Sequence, residues 1–514
     1  MTQQTPRDAP ESTTGTDSRV AVHLRRGSYR DSVALMRVSR ILRQLPDVEG
    51  ALVAMATELN LELLTELGGT APTGTTANDL LIAVRAADEA TREAALRRAA
   101  QELDATGAGP GTSGSDSGQI EPRSIRSAVN RAAGADTPAT VALVATPGDS
   151  AAVSAFEALR CGLDVLVFSD NVPLHHELAL KTHAQRTGRL VMGPDCGTAL
   201  LSGAALGFAN AVRPGPVGIV AASGTGAQHL MCLLDTAGVG ISHCIGVGGR
   251  DLHSAIGGLS TLRALELLEE DPATERIVVV SKPPAPEVAA RVTSALEALA
   301  TPAHTVLLGP EEPDLTSVAA QVLAGLGRNQ DTVTWPRWLP AEGPEPQPGA
   351  LRGLFCGGTL AEEALLCAQP VLGPIATAED APGHRIVDLG ADTYTAGRPH
   401  PMIDPAPRTE RFAAQLRSAD CGVVLLDVVL GHGCHPDPAR EIADTMRTQR
   451  ANGAMPAVVV SLCGTENDPQ DLSTQAELLC RSGAEVYASN AAAARRAAHL
   501  AAGTVRGTPS TATA

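Results

Sequence analysis

Four short segments combine small, flexible residues with side chains able to hold an anion or move a proton. Ser223-Gly224-Thr225-Gly226 follows the apolar run VGIVAA and leads into a helical pattern that begins near Ala227. Unpaired N–H groups at such a helix start, together with the helix dipole, form an anion site suited to a phosphate or phosphoryl group. The alternative is an ordinary strand-to-helix turn with Ser223 as its cap. Gly431-His432-Gly433-Cys434-His435-Pro436 repeats the design after LLDVVLG, with two glycines ahead of a proline-started helix. There His432 and His435 either add charge and shuttle a proton or stand as solvated loop residues. An H-x-x-H pair in a loop without further ligands nearby is a poor zinc signature.

Lysine is nearly absent: Lys181 and Lys282 are the only lysines among 40 basic residues. Lys282 directly follows the apolar run RIVVVS, so a compact ammonium sits where substrate would arrive. Lys181 falls within the helical stretch LHHELALKTHAQ, where a plain surface role competes with a functional one. GPDCGT offers Asp195 and Cys196, and GVGGRDL offers Gly249 and Arg250. Arg398 and His400 lie in the loop DTYTAGRPHPMID. Each arginine can clamp a carboxylate or phosphate through its fork of donors, although GVGGRD is equally compatible with a tight turn and a surface ion pair.

These residues sit at the ends of runs that define the fold. VALVAT, DVLVFSD, GRLVMG, VGIVAAS, HCIGVGG, RIVVVSK and HTVLLG alternate with amphipathic stretches, as do RIVDLG, GVVLLDVVLG, AVVVSLCG and EVYASN later in the chain. Near-continuous apolar runs of this kind predict parallel strands covered on both faces by helices, an α/β fold with two doubly wound, Rossmann- or flavodoxin-like sheet regions. Ligands of such sheets bind at the carboxyl ends of strands. Ahead of them AVHL, a helix over 31–45, GALVAMA, DLLIAVRA and a helix over 89–103 predict a small N-terminal α/β domain.

Composition narrows the function. The 514 residues carry 57 Asp+Glu against 40 Lys+Arg, a net charge of −17, which disfavours nucleic-acid phosphates and anionic lipid as partners. At 2% aromatic residues, base-stacking platforms are poorly supplied. No run of apolar residues is long enough to span a membrane and no targeting segment stands at the start, so a cytoplasmic location is expected. The ten cysteines are scattered singly, which argues against a disulfide framework or structural zinc site and favours small buried hydrophobes.

In order and spacing, GPDCGT, VGIVAASGTGAQ, GVGGRDL and DPATERIVVVSKPP resemble the α subunit of succinyl-CoA synthetase. RIVDLGADTY, RPHPMIDP and VVLLDVVLGHGCHPDP are similar to the ligase domain of the β subunit of that enzyme. With RDSVALM, MGPDCGT, SKPP and GRPHPMIDP, the chain resembles most closely the FdrA family, in which both ligase-type domains are fused, over about residues 20–505. The resemblance implies a tail over 1–18, an N-terminal domain over 19–106, a linker over 107–124 and a Rossmann-like CoA-binding-type domain over 125–212. It further implies an α-ligase-like domain over 213–335, a linker over 336–350, a β-ligase-like domain over 351–506 and a tail over 507–514. It also implies that two helix starts, Ser223–Gln228 and Gly431–Pro436, share one phosphate.

Three departures shape the expected activity. After HTVLLG the phosphohistidine loop is replaced by Pro310-Glu311-Glu312-Pro313, no stretch has room for an ATP-grasp domain, and no Gly-rich coenzyme A loop precedes VALVAT. The FdrA resemblance implies a subunit of a carbamoyltransferase that moves a carbamoyl group between oxalurate or oxamate and phosphate during allantoin degradation, in a hetero-oligomer with other subunits. Lys282, Arg398, His432 and His435 are then the catalytic candidates. Ser223, Gly224, Thr225, Gly226, Gly249, Arg250, Asp195, Cys196, His400, Gly431 and Gly433 are the phosphate and substrate contacts. Magnesium would enter with the phosphate, since no carboxylate pair marks a metal site. The alternatives are an acyl-CoA synthetase subunit that borrows its nucleotide-binding chain, and a scaffold that binds a small acid without turnover.

Overall fold

A computed structural model describes residues 11–14, 19–28, 30, 32–107, 122, 124–132, 138–328, 333–341, 348–395, 398–453 and 455–503. The expected tail 507–514, most of the tail 1–18 and of the linker 107–124, and the centre of the linker 336–350 lie outside the described residues. The chain divides into two units, one holding the residues up to Glu121 together with Asp392–Asp404, the other Pro122–Ala391 and Pro405–Ala514. No helix among the described residues is long and apolar enough to cross a membrane.

The first unit contains β1 (Glu11–Thr14), β2 (Val20–Arg25), α1 (Ser32–Arg43), β3 (Val48–Met55), α2 (Glu58–Glu66), β4 (Leu80–Ala86) and α3 (Glu89–Gly107). Its antiparallel sheet runs β1-β2-β4-β3. Strand β4 is a nearly unbroken apolar run because both of its faces are covered: Leu80, Ile82 and Val84 pack against α1 and α3, while Leu81 and Ala83 join Leu64 of α2. Two elements were not legible as such in the sequence, β1 in the expected tail and α2 in the stretch ELNLELLTE.

The second unit begins with α4 (Ile125–Ala132), β5 (Val141–Val144), α5 (Gly148–Arg160), β6 (Asp164–Val167), α6 (Leu174–Thr187) and β7 (Val191–Met192), around a three-stranded parallel sheet β5-β6-β7. Next come β8 (Thr198–Leu201), β9 (Ala204–Gly207), β10 (Pro214–Ala221), α7 (Gly224–Thr236), β11 (Ile241–Gly246), α8 (Leu259–Glu270), β12 (Arg276–Ser281), α9 (Pro286–Ala298), β13 (Ala303–Leu307) and α10 (Leu315–Gly325). Their sheet has the order β13-β12-β10-β11-β8-β9. Strands β10 to β13 pair in parallel, and β8–β9 is an antiparallel hairpin turned at Ser202 and Gly203, both with positive φ.

The last part contains β14 (Arg337–Trp338), β15 (Ala350–Phe355), α11 (Gly358–Leu372), β16 (Arg385–Asp388) and, after α12 (Asp392–Thr395) of the first unit, α13 (Ala406–Leu416), β17 (Cys421–Val429), α14 (Pro438–Asn452), β18 (Ala457–Cys463), α15 (Leu472–Arg481), β19 (Glu485–Tyr487) and α16 (Asn490–Ala501). Its order is β14-β19-β18-β17-β15-β16. Every residue of β17 is buried, Asp427 included, as expected for a strand with helices on both faces.

Strand order fixes where a ligand belongs. In the first six-stranded sheet the chain leaves β10 for β11 on one side and returns to β12 on the other; in the second it leaves β15 for β16 and returns to β17. The carboxyl ends of β10 and β15 are therefore the topological switch points, where a crevice opens between helices on opposite faces.

Candidate functional site

Both switch points lead into helices through small residues, and the two helix starts meet. After β10, Ser223 is the N-cap of α7, with extended backbone and an Oγ that accepts from Gly226 N–H at 3.0 Å. After β15, Gly357 is the N-cap of α11. Ser223 Oγ and Thr359 Oγ1 lie 2.5 Å apart, joining the caps directly. Only glycine fits this contact: a Cβ on Gly226 would come 2.7 Å from Ser223 Oγ and 2.9 Å from Thr359 Cγ2, and one on Gly357 would come 2.9 Å from Thr225 Oγ1. The first intrahelical bonds are Ala227 N–H to Ser223 and Ala361 N–H to Gly357. The N–H groups of Gly224, Thr225, Gly358, Thr359 and Leu360 thus have no upstream helical acceptor, which gives one corner with two aligned dipoles.

Two charges border this corner. A Cβ on Gly358 would stand 2.5 Å from Asp388 Oδ2 and 3.3 Å from Lys282 Nζ, so the end of β16 and the residue after β12 reach the same helix start. Lys282 is exposed, and no hydrogen bond or ion pair engages its ammonium among the described residues. Thr198 contributes as well, its Oγ1 lying 3.3 Å from the Cβ position of Gly224.

A buried ion pair holds the α11 corner from behind. Asp427 Oδ1 and Oδ2 accept from Cys356 N–H and Gly357 N–H, each at 2.8 Å, and Arg408 Nη1 lies 3.0 Å from Oδ1. Burial pushes the Asp427 carboxyl up, and Arg408 and the two amides oppose it. Deeper between the helices, Asn490 N–H donates to His229 Nε2 at 3.3 Å and Asn490 Nδ2 donates to Glu363 Oε2 at 2.7 Å. Burial holds His229 down at about 4 and raises Glu363 to about 7.

These two shifts act on stability with opposite signs. A carboxyl raised from 4.5 to about 7 favours the folded state when protonated, so its contribution is lost as pH rises through that window. A histidine lowered from 6.5 to about 4 costs stability as pH falls below 6.5. Glu363→Gln is therefore expected to gain on the parent protein by about 3 kcal/mol between about pH 5 and about pH 8, measured as urea midpoints. A constant difference across that range would refute the assignment.

The residues singled out in the sequence separate into groups. Ser223, Gly224, Thr225, Gly226 and Lys282 meet at the corner. The helix start in direct contact with theirs is Gly357–Thr359. The Gly431–Pro436 start, which the resemblance pairs with them, borders Ala209 and Phe208, with His432 bridging to Ala209 through backbone bonds, and is tied to α7 by Asn210, which donates to Leu430 O and accepts from Gln228 Nε2. His435 is buried, and its Nδ1 accepts from Asp437 N–H at 3.0 Å just ahead of α14. Cys196 is buried, its Sγ lies within hydrogen-bonding reach of the carbonyls of Thr198 and Gly246, and burial pushes its thiol up to about 12.

Arg250 Nη2 donates to Val172 O at 2.8 Å and lies 2.9 Å from Glu177 Oε2, off the hydrogen-bonding direction, with the side chain partly exposed. Asp195 and Gly249 are exposed turn residues, with Asp195 N–H donating to Ser169 O. Lys181 is not on the surface; its ammonium is fully enclosed, 2.8 Å from both Glu177 Oε1 and Asp251 Oδ1, and donates to Val247 O. Arg398 and His400 fall in the other unit, where His400 Nδ1 accepts from Met402 N–H at 3.2 Å. Gly357, Thr359, Asp388 and Asp427 were missed, although CGGT after LRGLF carries the same small-residue signal as ASGTG. No group of three or more His, Cys, Asp or Glu among the described residues is arranged to hold a metal.

The second of these doubly wound sheets belongs to a CoA-ligase-like domain. A CoA-ligase family profile matches residues 354–500, and a profile described as AllF, heavy metal-associated domain, matches residues 18–119. The chain is 36% identical over 506 residues to the uncharacterized protein YahF of Escherichia coli (strain K12), covering 92% of this chain and 96% of that one. It belongs to the FdrA/AllF-type family. It is also 28% identical over 174 residues to the α subunit of succinate–CoA ligase [ADP-forming] of Methanothermobacter thermautotrophicus, 33% of this chain and 58% of that subunit. A dinucleotide-forming acetyl-coenzyme A synthetase of Ca. Korarchaeum cryptofilum, solved with phosphate and ADP, aligns over 72% of this chain and 84% of that one at 17% identity and a TM-score of 0.28.

Proposed function

We propose that the chain is a subunit of an acid–thiol ligase-type enzyme in which the corner between α7 and α11 holds phosphate or the phosphate end of an acyl phosphate. The observation that carries this reading is the Ser223–Thr359 contact, which brings two helix N-termini together beside a Lys282 ammonium that has no ion-pair partner among the described residues. Backbone N–H groups and the ammonium neutralise the phosphate oxygens. The acyl carbonyl is left open to a nucleophile, whose attack breaks the bond to the phosphate oxygen and releases phosphate. The nucleotide-binding portion would come from another chain.

One feature favours a narrower second reading. Pro310-Glu311-Glu312-Pro313 follows β13 where a carrier histidine would stand, so phosphate itself, rather than a phosphorylated side chain, is the natural occupant. In that reading the acyl phosphate is carbamoyl phosphate, and the carbamoyl group moves between phosphate and oxamate with further subunits present.

Inorganic phosphate titrated calorimetrically into the full chain is expected to bind, and Gly358→Val to weaken it by about tenfold or more, because the added side chain meets Asp388 and Lys282. Absence of binding, or binding indifferent to Gly358→Val, would overturn the site. Incubation with the products of neighbouring genes then separates the readings: thioester from ATP, CoA and a carboxylic acid supports the ligase, and carbamoyl phosphate from oxalurate and phosphate supports the transferase.

A further inference from the structure

We infer that the N-terminal unit is not a heavy-metal carrier and that it holds the distant segment Arg398–Asp404 through α1. The family matched by residues 18–119 is described as heavy metal-associated, and soft metals select thiolate, thioether and imidazole ligands. Residues 18–119 contain no cysteine and a single histidine, His23. It stands within β2, in register with Ser12 of β1 and Ile82 of β4, so no second imidazole or thiolate faces it across the sheet. The Met55 thioether is enclosed in the apolar core with Leu35, Val38 and Ile82. One imidazole falls short of the roughly three or four ligands that a tetrahedral site requires.

What the unit does present is a cationic end of α1 occupied by chain from far away. Arg43 Nη2 pairs with Asp404 Oδ2 at 2.7 Å, and that carboxylate is only 4% exposed. One turn earlier, Arg40 Nη1 donates to Ile403 O at 3.4 Å. These contacts span 361 and 363 positions, and Met402 and Ile403 are buried beside them. A buried carboxylate that loses an ionic partner at 2.7 Å favours release into water, so Arg43 helps to keep the segment closed down, and with it Arg398 and His400.

The full chain is the material for both tests. Titration with Cu(I) against bathocuproine disulfonate, and with Zn2+ against a chromophoric chelator, is expected to give no metal uptake that depends on this unit. One equivalent retained by the parent and lost on His23→Ala, or on replacing Met36 and Met55 by leucine, overturns the first half; metal retained by all variants lies elsewhere and upholds it. Amide hydrogen exchange in peptides covering 398–404 is expected to rise by about tenfold or more in Arg43→Met, to be partly restored in Arg43→Lys, and to stay unchanged in β4. Unchanged exchange at 398–404 overturns the second half. Should Arg43→Met also loosen β4, Asp404→Asn decides: a rise confined to 398–404 upholds the assignment, and no rise there refutes it.

Discussion

Lys181→Met is expected to lower the unfolding free energy by about 3–5 kcal/mol, whereas Lys282→Met leaves it within about 0.5 kcal/mol. The two lysines of the chain are chemically identical and differ only in surroundings. Lys181 neutralises Glu177 and Asp251 where water does not reach, and Asp251 in turn accepts from Ser260 N–H, Thr261 N–H and Thr261 Oγ1 at the start of α8. Removing the ammonium leaves two enclosed carboxylates facing each other and loosens both α6 and α8. Lys282 has no such partner to abandon, so its loss should appear only in ligand affinity, as phosphate binding weakened by about tenfold. Urea midpoints and phosphate calorimetry on the two variants check both halves; equal destabilisation by the two substitutions would contradict the separation.

Arg408→Met is expected to be nearly as costly, at about 3–5 kcal/mol, and to impair phosphate binding although Arg408 lies behind the corner. Its guanidinium donates both to the Asp427 carboxylate and to Asp427 O, and the same carboxylate orients the Cys356 and Gly357 amides. Without Arg408 the buried charge has only those two amides, and its carboxyl moves further up. Arg408→Lys keeps the charge but is shorter than the arginine whose Nη1 makes both contacts, so it should recover part of the stability and less of the binding. Denaturant unfolding and phosphate titration of both variants test this; Arg408→Met with full phosphate affinity would show that Asp427 does not position the helix start.

Much of the architecture was legible because parallel strands buried on both faces cannot disguise themselves: RIVVVS and VVLLDVV announce themselves by unbroken apolar content. Ser223–Gly226 was legible for the same reason, since a small-residue turn directly after such a run has few other uses. The second helix start was not. Strand β15 is ALRGLF, in which Arg352 and Gly353 interrupt the run, and it follows the proline-rich PEPQPG closely enough to pass for linker. Arg352 is tolerated there because it pairs with Asp420 beside β17.

Strand β15 escapes a reading by apolar runs, and only the strand order, which depends on pairings between distant residues, places a switch point at Gly357. The burial of Lys181 was half visible, in Glu177 one helical turn before it, but Asp251 lies 70 positions away and nothing local links the two.

The outermost members of the two six-stranded sheets limit how another chain could attach to them. Strands β9 and β16 have 4 residues each, β14 has 2 and β13 has 5. Such stubs expose too few unpaired amides and carbonyls to template a foreign strand, which protects against runaway polymerisation. Under the proposed function, recruitment of a nucleotide-binding chain to these two sheets falls to side-chain complementarity on helices and loops, where a point mutation, unlike one in a backbone ladder, can abolish assembly.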